Sequence, residues 1–172
     1  VRLLLNRAKL NPKRVVFTEA DSLDVLKAAQ IVYEEGVAIP ILLGRKDEIE
    51  RLKEELEFDA DVLIIDPKSD EQLEQKNKYA KVFWDQGKRK GVTQLLAEKL
   101  MRERNYYAAM MVNEGDADAL ISGYTRSYPS VVKPMLELIG LAPGSTRVAT
   151  TNVMMTQRGP MFLSDTAINI NP

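Results

Sequence analysis

Two rhythms of apolar and polar positions alternate along the first part of the chain. Short unbroken apolar runs at 15–17, 38–43 and 62–65 read as buried strands, since β-branched and aliphatic residues on both faces suit a sheet covered on two sides. Between them the apolar positions recur at helical spacing. Val25, Leu26, Ala29, Ile31, Val32 and Tyr33 form one stripe ending at Gly36, and Ile49, Leu52 and Leu56 form a second. Asn11-Pro12, Gly44 and Asp66-Pro67 punctuate these elements, and Asp21 or Ser22 is placed to cap the first helix. Helices are then expected over 69–86, 93–102 and 105–113, with a flexible basic linker at 87–91. A strand over 117–121, a turn over 122–128 and a helix over 129–139 follow, with Pro129 at the first helical position.

Strands alternating with helices predict an α/β fold, a parallel sheet sandwiched by helices with right-handed crossovers. After Gly140, Pro143 and Gly144 the pattern changes. Runs at 147–156 and 161–170 are β-rich and joined by Gln157-Arg158-Gly159-Pro160, which predicts a hairpin. The expected organisation is a first subdomain over 1–145 and the opening hairpin of a second over 146–172, truncated there.

Composition narrows the chemistry. Of 172 residues 45% are hydrophobic and 28% charged, with a net charge of -1, a soluble globular profile without the positive field that holds nucleic acid. Cysteine and histidine are both absent, which excludes disulfides, thiolate or imidazole metal ligation and a Ser-His-Asp triad within the chain. No apolar run is long enough for a membrane span, and the apolar patch near the start reads as a short docking helix rather than a signal peptide. A cytoplasmic protein with no membrane partner is the expectation.

Candidate chemistry concentrates in 117–134, where a strand leads into a turn. Gly123 there permits close backbone approach, Ser122, Thr125, Ser127 and Ser130 can donate to an oxyanion, and Arg126 and Lys133 bring positive charge to a helix start. The same spacing also fits a plain βα loop whose hydroxyls only cap a helix. Lys88, Arg89 and Lys90, flanked by glycines, offer three cations for ligand phosphates or form a solvated linker. Asp165 lies in an apolar β-rich run and calls for a partner across a cleft, or marks a strand end. Glu19-Ala20-Asp21 carries the same ambiguity, with helix capping as the favoured role. No residue is singled out as catalytic or as a metal ligand.

Taken together, Pro12-Lys13-Arg14-Val15-Val16-Phe17, Ile39-Pro40-Ile41-Leu42-Leu43-Gly44, Lys90-Gly91-Val92-Thr93, Ala117-Asp118-Ala119, Ser122-Gly123 and Asp165-Thr166-Ala167-Ile168-Asn169 resemble the phosphate acetyl/butyryltransferase family. The resemblance implies the two-subdomain architecture of the isocitrate and isopropylmalate dehydrogenases, acetyl-CoA or coenzyme A and phosphate as ligands, and a homo-oligomer of at least two copies. The family's enzymes typically carry Arg-Lys-His-Lys-Gly where this chain has Gly87-Lys88-Arg89-Lys90-Gly91. In the second segment their histidine, threonine, aspartate and arginine stand at the positions of Arg126, Tyr128, Ser130 and Lys133.

The altered loop is similar to the phosphotransacetylase-like region of bacterial NADP-dependent malic enzymes. That similarity implies a regulatory, acetyl-CoA-binding and oligomerising module, inactive as a fragment, with NADP and a divalent metal confined to a malic enzyme part outside this chain. An active acetyltransferase is the alternative. A purely structural oligomerisation module, using the aromatic pair Tyr106-Tyr107, is a further one.

Overall fold

The computed structural model describes residues 2–165 and Ile168. The three aliphatic runs form β1 (Lys13–Phe17), β2 (Ala38–Leu43) and β3 (Leu63–Ile65), and the later run forms β4 (Ala119–Ile121). They build one sheet in the order β3-β2-β1-β4, every pair parallel. Pro40 sits inside β2 opposite Val15, yet β3 pairs only from Ile41 onward, so the missing proline amide breaks no β2–β3 ladder bond.

Side chains alternate across this sheet. On one face Val16, Ile41, Leu43 and Ile65 pack under α4 (Leu73–Gly87), α5 (Gln94–Leu100), α6 (Arg104–Asn113) and α7 (Tyr128–Leu138). On the other, Phe17 and Leu42 pack under α2 (Leu23–Glu34) and α3 (Lys46–Glu55) through Leu26, Ala29, Ile49 and Leu52. Each fully buried aliphatic side chain stabilises the fold by roughly 1.5–3 kcal/mol. Helix α1 (Arg2–Lys9) precedes the sheet and buries none of its residues. No helix among the described residues is long and apolar enough to cross a membrane.

Several local expectations need correction. The basic stretch is no flexible linker: Lys88–Lys90 form a 3₁₀ turn closing α4, ended by Gly91 at a left-handed φ of 90°. Position 87 is tight as well, since a Cβ there would lie 2.4 Å from Val92 Cγ2, which leaves no room for an arginine without rearrangement. Neither Asp21 nor Ser22 caps α2 through its side chain; Ser22 holds the N-cap position, while the Asp21 carboxylate pairs with arginines. Helix α7 begins at Tyr128, one residue before Pro129.

Tyr106 and Tyr107 are core residues rather than an exposed aromatic face. The ring of Tyr107 packs edge-on to Tyr79 at 5.2 Å and that of Tyr106 lies against Phe83 at 5.9 Å. Their hydroxyls donate to Gln72 and Glu137 respectively.

The hairpin forms as β5 (Thr151–Thr156) and β6 (Gly159–Ser164), antiparallel with Thr156 opposite Gly159. Val153, Met154, Met161 and Phe162 on its two faces are each about half exposed or more. Asp165 follows β6 with a φ of 61°, so it turns the chain out of the strand instead of standing within it. The rest of the strand expected through 170 falls outside the described residues except for Ile168.

Candidate active site

β1 and β4 are neighbours whose connections diverge. The chain leaves β1 for α2 on one face of the sheet, and it leaves β4 for α7 on the other. Their carboxyl ends therefore form a switch point, where open α/β sheets place ligands. The Thr18 amide donates to Ile121 O at 3.1 Å and ties the two strand ends together.

Glu19, the second residue beyond β1, is 5% exposed. Its Oε1 accepts from the amides of Gly123 (3.0 Å) and Tyr124 (2.9 Å), and its Oε2 from the Thr125 amide (2.9 Å) and the Thr125 hydroxyl. Burial pushes the Glu19 carboxyl up, but the Thr125 hydroxyl and the amides of Thr125, Gly123 and Tyr124 outweigh it and hold the group below its usual range.

Asp21 is built on the same plan with cations. Arg104 grips it through two parallel bonds of 2.6 Å, and Arg45 Nε stands 3.5 Å away. Burial raises this carboxyl while Arg104, and then Arg45, lower it further, so that it too stays ionised. At the start of α6, Asn105 accepts from the Ser122 hydroxyl (2.8 Å) and donates to Ser130 O (3.1 Å). That carbonyl needs a donor because Pro134, four residues on within α7, has no amide to offer it.

These contacts enclose a cleft of about 260 Å³ lined by Thr18, Glu19, Leu100, Glu103, Arg104, Asn105, Tyr106, Arg126, Ser130, Lys133 and Pro134. The structure thus brings Arg126, Ser130 and Lys133 together. Arg126 is exposed and makes no ion pair among the described residues, and Lys133 makes only a long one, 3.7 Å to Glu137. Ser122, Gly123 and Thr125 do not line this cleft; their donors are engaged by Asn105 and Glu19, which do. Ser127 is the N-cap residue of α7, and its carbonyl accepts from the Ser130 hydroxyl.

Lys88, Arg89 and Lys90 do not line this cleft; Lys88 pairs with Asp85 at 2.8 Å and lies over the Trp84 ring. Asp165 belongs to the hairpin, and its amide donates to Thr150 O. Arg104 and Asn105 carried no local signal of chemistry, apart from one oddity. A cation in the first turn of a helix opposes the helix dipole, and Asp21 beside Arg104 offsets that cost.

The sequence matches the family described as Phosphate acetyl/butaryl transferase over residues 1–172. The chain belongs to this family. It is 33% identical over its whole length to a phosphate acetyltransferase of Thermoanaerobacterium thermosaccharolyticum, of which it covers 53%. It is 30% identical over its whole length to an NADP-dependent malic enzyme of Haemophilus influenzae, of which it covers 23%. Among solved structures, the EutD phosphotransacetylase from Staphylococcus aureus superposes with a TM-score of 0.83 at 28% identity, over 98% of this chain and 51% of that one. A phosphotransacetylase from Streptococcus pyogenes gives 0.83 at 29% identity, over 100% of this chain and 53% of that one. The chain thus spans about half the length of some phosphate acetyltransferases it matches and about a quarter of others.

Proposed function

We propose that this chain provides the phosphate-facing wall of a phosphate acetyltransferase site, at which an acetyl group passes between acetyl phosphate and coenzyme A. The observation that carries the reading is the cleft at the β1–β4 switch point, which Arg126, Lys133 and Ser130 line together, Arg126 making no ion pair among the described residues and Lys133 only one of 3.7 Å. In the forward reaction the coenzyme A thiolate forms the new S–C bond at the acetyl carbon. The C–O bond to phosphate breaks, and inorganic phosphate leaves with the electron pair. Negative charge moves onto phosphate oxygens in that step, and preorganised cations and hydroxyls are the groups that favour it. Arg126 and Lys133 have that role here, with the Ser130 hydroxyl as an added donor.

A second reading follows from the malic enzyme relative and from the four departures at Arg126, Tyr128, Ser130 and Lys133. In it the same cleft binds acetyl-CoA or phosphate as a regulatory signal, without turnover, and NADP and a divalent metal belong to a part of the protein outside this chain. The acetyltransferase reading is preferred because a phosphate acetyltransferase matches at 33% identity against 30% for the malic enzyme, and because both solved structures that superpose at a TM-score of 0.83 are phosphotransacetylases.

Acetyl phosphate–coenzyme A exchange by the full-length protein separates the two readings. Arg126→Ala is expected to cut turnover at low acetyl phosphate by about 10²-fold, of the order found for a lost transition-state donor. Undiminished exchange in that variant would remove Arg126 from the site. Phosphate or acetyl-CoA binding by the unaltered protein, with no exchange at all, would leave the regulatory reading.

A further inference from the structure

We infer that Glu19 is a positioning residue of this cleft: its carboxylate fills the anion nest made by the amides of Gly123, Tyr124 and Thr125, and so holds Arg126 at the cleft and directs a ligand's phosphate to the side of Arg126, Ser130 and Lys133. The inference rests on the phosphate-binding reading of the cleft. Three successive amides point into one concavity because Gly123 takes a φ of 104°, a conformation that side chains disfavour. Such a concavity suits an anionic ligand, and in this fold Glu19 is that anion. A carboxylate offers about four acceptor positions. Here its Oε1 takes two amides and its Oε2 takes the Thr125 amide and hydroxyl. A phosphate could enter the nest only by expelling a buried carboxylate.

Arg126 has no ion pair among the described residues and Lys133 only the 3.7 Å one to Glu137, so neither is saturated as the nest is. Arg126 is bonded directly to Thr125, so docking of the Thr125 amide and hydroxyl on Glu19 sets where the arginine leaves the loop. Glu19 is not what joins the strands, because the Thr18 amide still donates to Ile121 O without it. Losing the carboxylate should therefore loosen the loop more than the sheet.

The test uses the full chain with Glu19→Ala and Glu19→Gln. Amide resonances of 123–125 and side-chain resonances of Arg126 and Lys133 are followed while inorganic phosphate or acetate is added. In the unaltered protein, phosphate should shift Arg126 and Lys133 and leave the 123–125 amides in place, and acetate should leave those amides in place too. Glu19→Ala should bind phosphate about ten-fold more weakly, as expected for losing a charge-assisted support. Excess acetate should then move the 123–125 amides and recover much of that affinity, an effect a general loss of stability cannot produce. Glu19→Gln, which keeps the shape but turns one acceptor into a donor, should fall between the two and guards against a variant that does not fold. Phosphate shifts centred on 123–125 in the unaltered protein would overturn the inference, as would undiminished affinity in both variants. An unaltered protein that binds no phosphate would instead overturn the reading of the cleft, and the positioning role with it.

Discussion

At the amino ends of β1 and β4, Arg14 spends its whole guanidinium on the protein. It bonds both oxygens of Asp118 at 3.2 Å, Asp116 O at 3.0 Å and Gly115 O at 2.8 Å. The Asp116 carboxylate beneath accepts from the Tyr79 hydroxyl and from Gln75. At the carboxyl ends of the same strands, Glu19 and Asp21 are saturated in the same manner, yet Arg126 and Lys133 stand beside them with little or no pairing. At one end the arginine is engaged by carboxylate and carbonyls of the protein, and at the other the two buried carboxylates are engaged while Arg126 and Lys133 keep donors over. Such free donors lining a cleft are what a site for an anionic ligand requires, whereas the Arg14 guanidinium at the amino end is already engaged by the protein.

The largest expected effect breaks the closed part of the carboxyl end. Arg104→Ala leaves Asp21, whose side chain is 14% exposed, with only Arg45 at 3.5 Å. The cost should be about 2 kcal/mol, below the 3–5 of a wholly buried pair because Arg104 is itself 20% exposed. Chemical denaturation reads this directly. An unchanged midpoint would mean that the Asp21–Arg104 pair positions the cleft without stabilising the fold.

A smaller effect is expected at the amino end. Burial and the nearby Asp116 carboxylate raise the Tyr79 hydroxyl far above its ordinary range, so it is a permanent donor. Tyr79→Phe removes that donor and leaves Asp116 with Gln75, at a cost of about 1 kcal/mol. Phosphate binding should not change. If it weakened as much as in a cleft variant, the two ends would be coupled through the sheet and the contrast between them would fail.

The difference between the two ends also governs what could be read in the sequence. Strands β1 to β3 and their helices declare themselves through local pattern, because burial on both sheet faces demands unbroken aliphatic runs and burial of one helix face demands a stripe. The hairpin at Gln157-Arg158 is likewise local. The roles of Glu19 and Asp21 were not legible, since their partners lie at Thr125 and Arg104, more than eighty residues further on. A short acidic residue just before a helix has the same local signature whether it caps that helix or bridges two strands. The trio Lys88, Arg89 and Lys90 misled in the opposite sense: glycines around basic residues suggest slack, but here Gly87 is demanded by contact with Val92 and Gly91 by a left-handed turn.

The smallest effect is expected near neutral pH, and its flatness is informative. The chain has no histidine, so no imidazole titrates between pH 5 and 8. Asp118 is lowered by its bonds from Arg14, Glu19 by the Thr125 hydroxyl and loop amides against the opposing effect of burial, and Asp21 by Arg104 likewise. Groups depressed in the folded state give their full stabilisation above the unfolded value, about 4 for a carboxylate, and lose it as pH falls through the folded one. Thermal midpoints should thus be level from pH 7 to about 5 and drop below about 4. In Glu19→Gln one of those protons no longer has a site, so the acid limb should become shallower while the neutral plateau sits lower. Asp118, Asp21, Glu48 and Asp85 keep their cationic partners in that variant, so the acid sensitivity it retains belongs to depressed carboxylates such as these. A limb as steep as that of the unaltered protein would show that the other depressed carboxylates carry the response, and that Glu19 contributes nothing to the acid dependence of folding stability.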